Sequence, residues 1–382
     1  MATPTHHVLL IPGFFGFGKF GELSYFSGVR EAIESSFAEL GLAVTVTEVP
    51  TLPMASIRWR AALVLETLAA VASKGDGPIH LIGHSTGGLD ARLAIAPTAS
   101  LPSRVQFAAY DRVHSLVTVC APHYGTPVAT YFTRPVGRFL IRTLGRYLIF
   151  MLERGRVPLK LMLRLGYFVV RARDPFRKRR GAFDYLYDKL LSDLSESRIL
   201  ELATFIKAVV KDQSLLFQLT PAGCDLLNAC TADPKIAYAS VVARATPPNW
   251  RNAWRSLRDL YAQLMFPVYA FLHRAARKDE LGAPPLTALQ QAQLGGSTRL
   301  PVRADSDGVV PTLSQVWGPV LYFAQADHLD VVGQYGLSSQ AAATGDWIPS
   351  YSPFGPEQFN ELWRRVAHFI AGVAAREGAE IG

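Results

Sequence analysis

Apolar positions along the first 125 residues follow two alternating patterns. Short apolar or β-branched runs at His7 to Ile11, Ala43 to Val49, Ile79 to Ile82 and Val113 to Val119 are separated by stretches with helical spacing near Ser27 to Leu40, from about Ile57 to Ala72, and after Thr86. Short apolar runs of this kind read as buried strands. Strands that alternate with helices pair in parallel, because each crossover helix returns the chain to the same end of the sheet. The expected class is therefore α/β, a mainly parallel sheet flanked by helices. The rhythm stops after Tyr124-Gly125-Thr126-Pro127, resumes with Lys235 to Val242, and closes with short strands expected near Leu300 and Val320 and a helix from about Pro356 to Arg376. Two helical blocks interrupt it, residues 128–218 and an aromatic-rich block at about 247–297 that carries Trp250, Trp254, Tyr261, Phe266, Tyr269 and Phe271. They read as insertions into one core formed by residues 1–127 and 219–382, since single α/β domains with insertions reach a length of 382 residues.

Composition changes this picture in two respects. With 49% hydrophobic and 18% charged residues, against roughly 25% charged in an ordinary soluble domain, the chain buries a large core and is not a disordered tail protein. A mean hydropathy of +0.15 leaves apolar surface beyond what folding uses. The net charge of +8 is not spread evenly: residues 134–180 carry 14 Lys or Arg against Glu153 and Asp174, a local +12, so the rest of the chain sums to 8 − 12 = −4. The basic character belongs to one segment.

Cys120, Cys224 and Cys230 are too few for a disulfide framework. Cys224 and Cys230 fall six apart in a helix-like stretch, about 9 Å along an axis that rises 1.5 Å per residue, too far for a bridge. Met1 to His7 has no basic run followed by a long apolar stretch, so a cytoplasmic or membrane-peripheral location is the default expectation, and secretion would need a leader preceding this sequence. No charge-free run of 18 apolar residues supports a membrane span.

The chemistry concentrates at Gly83-His84-Ser85-Thr86-Gly87-Gly88. A serine with glycines at −2 and +2, entered from a strand and left by a helix, permits a tight turn that projects Oγ from the sheet edge, and its partners follow in the order acid, then histidine. Downstream histidines are His114, His123, His273, His328 and His368. His273 and His368 fall within helical stretches, His114 opens a strand, and His123 comes too soon to leave room for an intervening acid. His328, in the loop after Val320 to Ala324, lies where parallel sheets place their sites and is the expected base. The acid is expected at the end of the strand near Leu300, where Asp307, beside the turn glycine Gly308, is preferred to Asp305. An acyl-transfer site also needs N–H donors aimed at the developing oxyanion; the backbone amides of Thr86 and Phe14, the latter in the glycine-rich loop after the first strand, are the candidates.

These residues, together with Ala121-Pro122-His123-Tyr124-Gly125-Thr126-Pro127, Asp307-Gly308-Val309-Val310 and His328-Leu329-Asp330, resemble the signatures of the bacterial true lipases, triacylglycerol ester hydrolases of the α/β-hydrolase superfamily. Tyr25-Phe26-Ser27-Gly28-Val29 and Leu219-Thr220-Pro221-Ala222-Gly223 are similar to secondary blocks of that family. The resemblance implies an α/β-hydrolase fold, a serine hydrolase acting on acylglycerols or other lipid esters, and a lid at residues 128–218. An acyltransferase, a phospholipase, or a catalytically silent lipid-binding fold uses the same framework. Pro12-Gly13 departs from the family's usual His-Gly before the oxyanion residue, and no cysteine follows Asp307 as in some relatives. No cofactor is required by the chemistry; Asp330 and Gln334 match two calcium-ligand positions of relatives, although Ca²⁺ takes six to eight oxygens and no second carboxylate is evident.

Within the lid segment, Arg134, Arg138, Arg142 and Arg146 recur every four residues and would form one slanted stripe on a helix, interleaved with Phe139, Leu140, Ile141, Leu144, Tyr147, Leu148 and Ile149. A cationic face beside an apolar one is the composition of a helix that meets an anionic membrane or lipid-droplet surface. A cap with solvated arginines has the same composition. No nucleic-acid-binding motif accompanies the charge.

Overall fold

The computed structural model describes residues 4–14, 19–20, 23–52, 54–105, 110–135, 137, 214–230, 232–257, 260–277, 282–296, 299–335 and 348–380. Strand β1 (His6–Ile11) is buried along its whole length, as an apolar run covered on both faces should be. After helix α1 (Val29–Glu39), strand β2 (Val44–Glu48) pairs with β1 on one side. After α2 (Ile57–Ala72), strand β3 (Ile79–His84) pairs with β1 on the other. Helix α3 (Thr86–Ala94) leads to β4 (Val113–Val119), and β5 (Ala237–Ala243) and β6 (Val320–Ala324) extend the same sheet. The order is β2-β1-β3-β4-β5-β6, with every pairing parallel. Connections leave β1 and β3 toward opposite edges, and this reversal opens a crevice at their carboxyl ends, the place where such sheets hold ligands.

Helix α1 packs with the last helix on one face of the sheet, where Val29, Ile33 and Phe37 meet Phe359, Trp363 and Ile370. On the other face α2 and α3 bury Ile57, Val64, Leu68 and Leu89 against Leu9, Leu81 and Leu116. Between β4 and β5 lie α4 (Pro127–Thr133), α5 (Ser214–Gln218) and α6 (Pro221–Asn228). Between β5 and β6 lie α7 (Trp250–Ser256), α8 (Leu260–Ala276) and α9 (Ala288–Gly295), and α10 (Pro356–Glu380) ends the chain's described part. Cys224 sits in α6 while Cys230 lies beyond it, and all three cysteines are free. Among the described residues no helix is long and apolar enough to cross a membrane.

One expected strand is missing. Residues 299–303 form no strand, and among the described residues the only pairing nearby is an isolated bridge between Ser306 and Pro311. Pro301 supplies no N–H for a ladder, and Leu300 and Val302 are both exposed, so no buried face drives pairing. The Asp305 carboxylate organises a turn there instead, accepting both Arg299 Nη groups at 2.7 Å and the Val302 amide at 3.0 Å. Asp307 therefore stands in a loop and not at a strand end. The arginine series is also interrupted at its start. Arg134 is extended, with ψ 154°, as a residue before proline tends to be, so α4 stops there and Arg134 is not within one continuous helix. Arg138, Arg142 and Arg146, and most of the 128–218 lid segment, lie outside the described residues.

Candidate active site

Ser85 joins β3 to α3 with φ 55° and ψ −128°, a left-handed backbone that a non-glycine residue holds only when its surroundings impose it. The flanking glycines show what imposes it. A Cβ on Gly83 would lie 2.5 Å from the Gly87 carbonyl oxygen, and one on Gly87 would lie 2.2 Å from the Ile11 carbonyl oxygen. The Ser85 amide is fixed by the Val119 carbonyl at 2.8 Å. The serine thus stands over the carboxyl ends of β1, β3 and β4, 5% exposed.

His328, in the loop after β6, places Nε2 2.9 Å from Ser85 Oγ, and its Nδ1 lies 2.6 Å from Asp307 Oδ2. With a carboxylate as partner Nδ1 carries the hydrogen, so the Nε2 lone pair faces the serine hydroxyl. The Asp307 carboxylate is held from every side: Oδ1 accepts the Val309 and Val310 amides at 2.9 and 2.7 Å, and Oδ2 also accepts Gln315 Nε2 at 3.2 Å. Sequence order suggested this set, and the structure brings these three residues together. Asp305, the alternative acid, faces Arg299 and Arg244. Of the other histidines, His123 is buried between Arg92 and Thr118, with 3.0 Å contacts to each, and His273 is buried against the Tyr269 ring.

Thr86 is the first residue of α3, and Phe14 follows Gly13. A Cβ on Gly13 would lie 2.6 Å from Ser85 Cβ, so the loop after β1 crosses directly over the serine and only glycine fits. Three residues that sequence reasoning gave no role hold this loop. Fully buried Arg60 donates from Nη2 to the Pro12 carbonyl at 2.9 Å, the Gly13 carbonyl at 3.1 Å and Thr86 Oγ1 at 3.3 Å, from Nη1 to the Leu52 carbonyl, and from Nε to Asp90 Oδ2 at 2.8 Å. Tyr25 Oη accepts the Gly13 amide at 2.9 Å and donates to His84 Nδ1 at 2.7 Å, while His84 Nε2 donates to the His328 carbonyl at 2.9 Å. Burial pushes the Tyr25 phenol up and His84 well below the ordinary histidine range, which agrees with a neutral chain of donors. The signal for Arg60 was available, since a lone arginine falls in the apolar stripe Ile57, Ala61, Val64, Leu68.

Asp330 and Gln334 are both buried beyond His328. Asp330 Oδ2 accepts the Asp327 amide at 2.8 Å, closing a turn. Among the described residues no group of three or more His, Cys, Asp or Glu could hold a metal ion. One carboxylate and one amide fall short of the oxygen set that calcium requires, and no step below passes through a metal.

The buried histidines make stability depend on pH. Desolvation holds His80, His84 and His123 well below 6.5, and each ring uses a lone pair that protonation would remove. Below pH 6.5 the unfolded chain takes up protons at these three rings that the folded chain resists. Burial also pushes Asp90 and Asp327 up to about 6, so the folded state takes up protons there and offsets part of the effect. The lowered histidines outnumber the raised carboxyls, so stability should fall as the pH drops from 6 to 5, by on the order of 1 kcal/mol per pH unit. Urea midpoints across that range check the sign; a flat or rising stability on acidification would contradict neutral buried imidazoles.

No protein-family model and no curated protein sequence matches the chain. Solved structures do. The lipase of Staphylococcus hyicus superposes with a TM-score of 0.54 at 15% identity, over 99% of each chain. Lipase 1 of Pelosinus fermentans gives 0.53 at 16% identity, over 96% of this chain and 99% of its own. At that identity the likeness speaks for the fold, and the parallel sheet, the strained serine turn and the loop after β6 all fit it. The chain has the α/β-hydrolase fold, in the arrangement also found in these two bacterial lipases.

Proposed function

We propose that the protein is a serine carboxylic-ester hydrolase acting on lipid esters through an acyl-enzyme. The observation that carries this reading is the hydrogen-bonded series Ser85 Oγ, His328 Nε2, His328 Nδ1, Asp307 Oδ2, at 2.9 and 2.6 Å, on a backbone turn that fixes the serine. His328 Nε2 takes the Oγ proton as Oγ bonds to the ester carbonyl carbon, and the carbonyl oxygen becomes an oxyanion that the Phe14 and Thr86 amides receive. The Nε2 proton then passes to the departing alkoxide, the carbon–oxygen bond breaks, and the alcohol leaves an acyl group on Ser85. Water repeats the sequence and frees the acid. Asp307 keeps the imidazole in one tautomer throughout. Proximity and a fixed tautomer supply much of the rate, since no group has to be repositioned between steps.

The lipid part of the reading rests on the resemblance of the motifs to lipases and on the fold shared with two of them. A panel of p-nitrophenyl esters, triglycerides and phospholipids of rising chain length tests it. Turnover that grows with acyl length and persists on emulsified triglyceride is the expected outcome. Hydrolysis confined to acetyl and butyryl esters would make the protein a small-ester esterase, and absence of turnover on every ester would overturn the reading.

A further inference from the structure

Helix α7 presents Trp250, Trp254 and Leu257 to solvent, 69, 68 and 55% exposed. Their i, i+4, i+7 spacing puts them on one face, while Asn252 and Ser256, both buried, hold the opposite face to the body. Large aromatic side chains left this open are uncommon and mark a surface meant for contact. Arg251 and Arg255 flank the stripe, both exposed, with the Arg251 guanidinium 5.5 Å from the Trp250 ring centre, and neither forms an ion pair among the described residues. Over the insertion at 247–297 the sequence carries Arg251, Arg255, Arg258, Arg274, Arg277 and Lys278 against Asp259, Asp279 and Glu280, a net +3. With +12 in residues 134–180, the rest of the chain is 8 − 12 − 3 = −7. An anionic surface therefore attracts the exposed Arg251 and Arg255 beside this stripe.

The position of the helix gives this face a purpose. Asn252 Nδ2 donates to the Ser350 carbonyl at 3.4 Å, and Ser350 Oγ donates to Asp327 Oδ2 at 2.7 Å, next to His328. In α8, Tyr269 donates to the Thr246 carbonyl and lies against Gly308, where an added Cβ would come within 3.0 Å of its ring. The α7–α8 pair thus sits on the carboxyl rim of the sheet, beside the loops that carry Asp307 and His328. We propose that the Trp250–Trp254–Leu257 face is a docking surface for an anionic lipid interface, its indole rings seated at headgroup level and Arg251 and Arg255 on the lipid phosphates. Tryptophan and arginine are suited to such a boundary, one end apolar and the other wet. The inference rests on the lipid-ester reading, because docking here brings the serine's rim to the substrate surface.

The test measures binding of the full chain to equimolar phosphatidylglycerol and phosphatidylcholine vesicles by flotation, beside turnover of p-nitrophenyl butyrate in solution. Trp250→Ala/Trp254→Ala should weaken vesicle binding at least about tenfold, and Arg251→Gln/Arg255→Gln about fivefold per charge at low salt. Butyrate turnover should stay within twofold in both, since neither pair touches the serine, its partners or the loop over it. Wild-type protein that does not bind the vesicles, or variants that bind equally well, would overturn the proposal. A wild-type dimer that becomes monomeric in the tryptophan variant would also overturn it, assigning the face to a second copy of the chain. The arginine variant keeps the question decidable if the tryptophan variant does not fold. Failure of the ester reading would show separately, as absent butyrate turnover in the wild type.

Discussion

Replacing Ser85 with alanine is expected to lower ester turnover by roughly 10⁴ to 10⁶ while leaving the protein folded. The substitution removes only Oγ. Alanine keeps the Cβ that already fits beneath Gly13, and the left-handed turn is imposed by the approach of Gly83 to Gly87 and of Gly87 to Ile11, not by the hydroxyl. What is lost is the nucleophile and the partner of His328 Nε2. The remaining rate would come from the oxyanion donors and binding alone. Steady-state turnover of a p-nitrophenyl ester beside a thermal melt separates the two effects. Retention of more than a tenth of the activity would remove Ser85 from the mechanism.

The second large effect concerns the acid, and here two neighbouring aspartates should behave oppositely. In Asp307→Asn the amides of Val309 and Val310 still require an acceptor at Oδ1, so the amide oxygen stays there and its NH₂ takes the place of Oδ2. That NH₂ then faces His328 Nδ1, which can keep contact only by giving up its hydrogen. The hydrogen moves to Nε2, which can no longer accept the serine proton. Turnover should fall by about 10⁴, as wrong-tautomer variants of such triads do. Asp305→Asn weakens the pairs with Arg299 and Arg244, neither of which contacts Ser85, His328 or Asp307, and turnover should change less than threefold. The opposite ranking would move the acid to Asp305.

The parallel core was legible because burial on both faces leaves strands as unbroken apolar runs, and β4 was read at its observed bounds, Val113–Val119. The serine, histidine and aspartate could be placed in order because glycine spacing and turn chemistry are local properties. The strand near Leu300 was misread because a proline-containing apolar stretch gives no indication of whether a neighbour is present to pair with it. Arg60, Tyr25 and His84 received no role for a related reason. Their contacts join residues 12, 13, 84, 86, 90 and 328, and no spacing along a chain encodes which distant carbonyl a buried side chain will find. The contrast between Asp305 and Asp307 was resolvable only by seeing that Arg299 takes one and His328 the other.

Arg60 also bears on how the protein fails under heat. Loops that shape a site are commonly the first parts to loosen, and activity then disappears well before the fold. Here one fully buried guanidinium is shared by the loop over Ser85, the segment at Leu52 and the helices α2 and α3. Freeing that loop would break the guanidinium's bonds to the Pro12 and Gly13 carbonyls and leave that donor unsatisfied inside the protein, at a cost of about 1–3 kcal/mol. Loosening of the Pro12–Gly13 turn is therefore expected to be coupled to loosening of α2 and α3, through the one guanidinium they share.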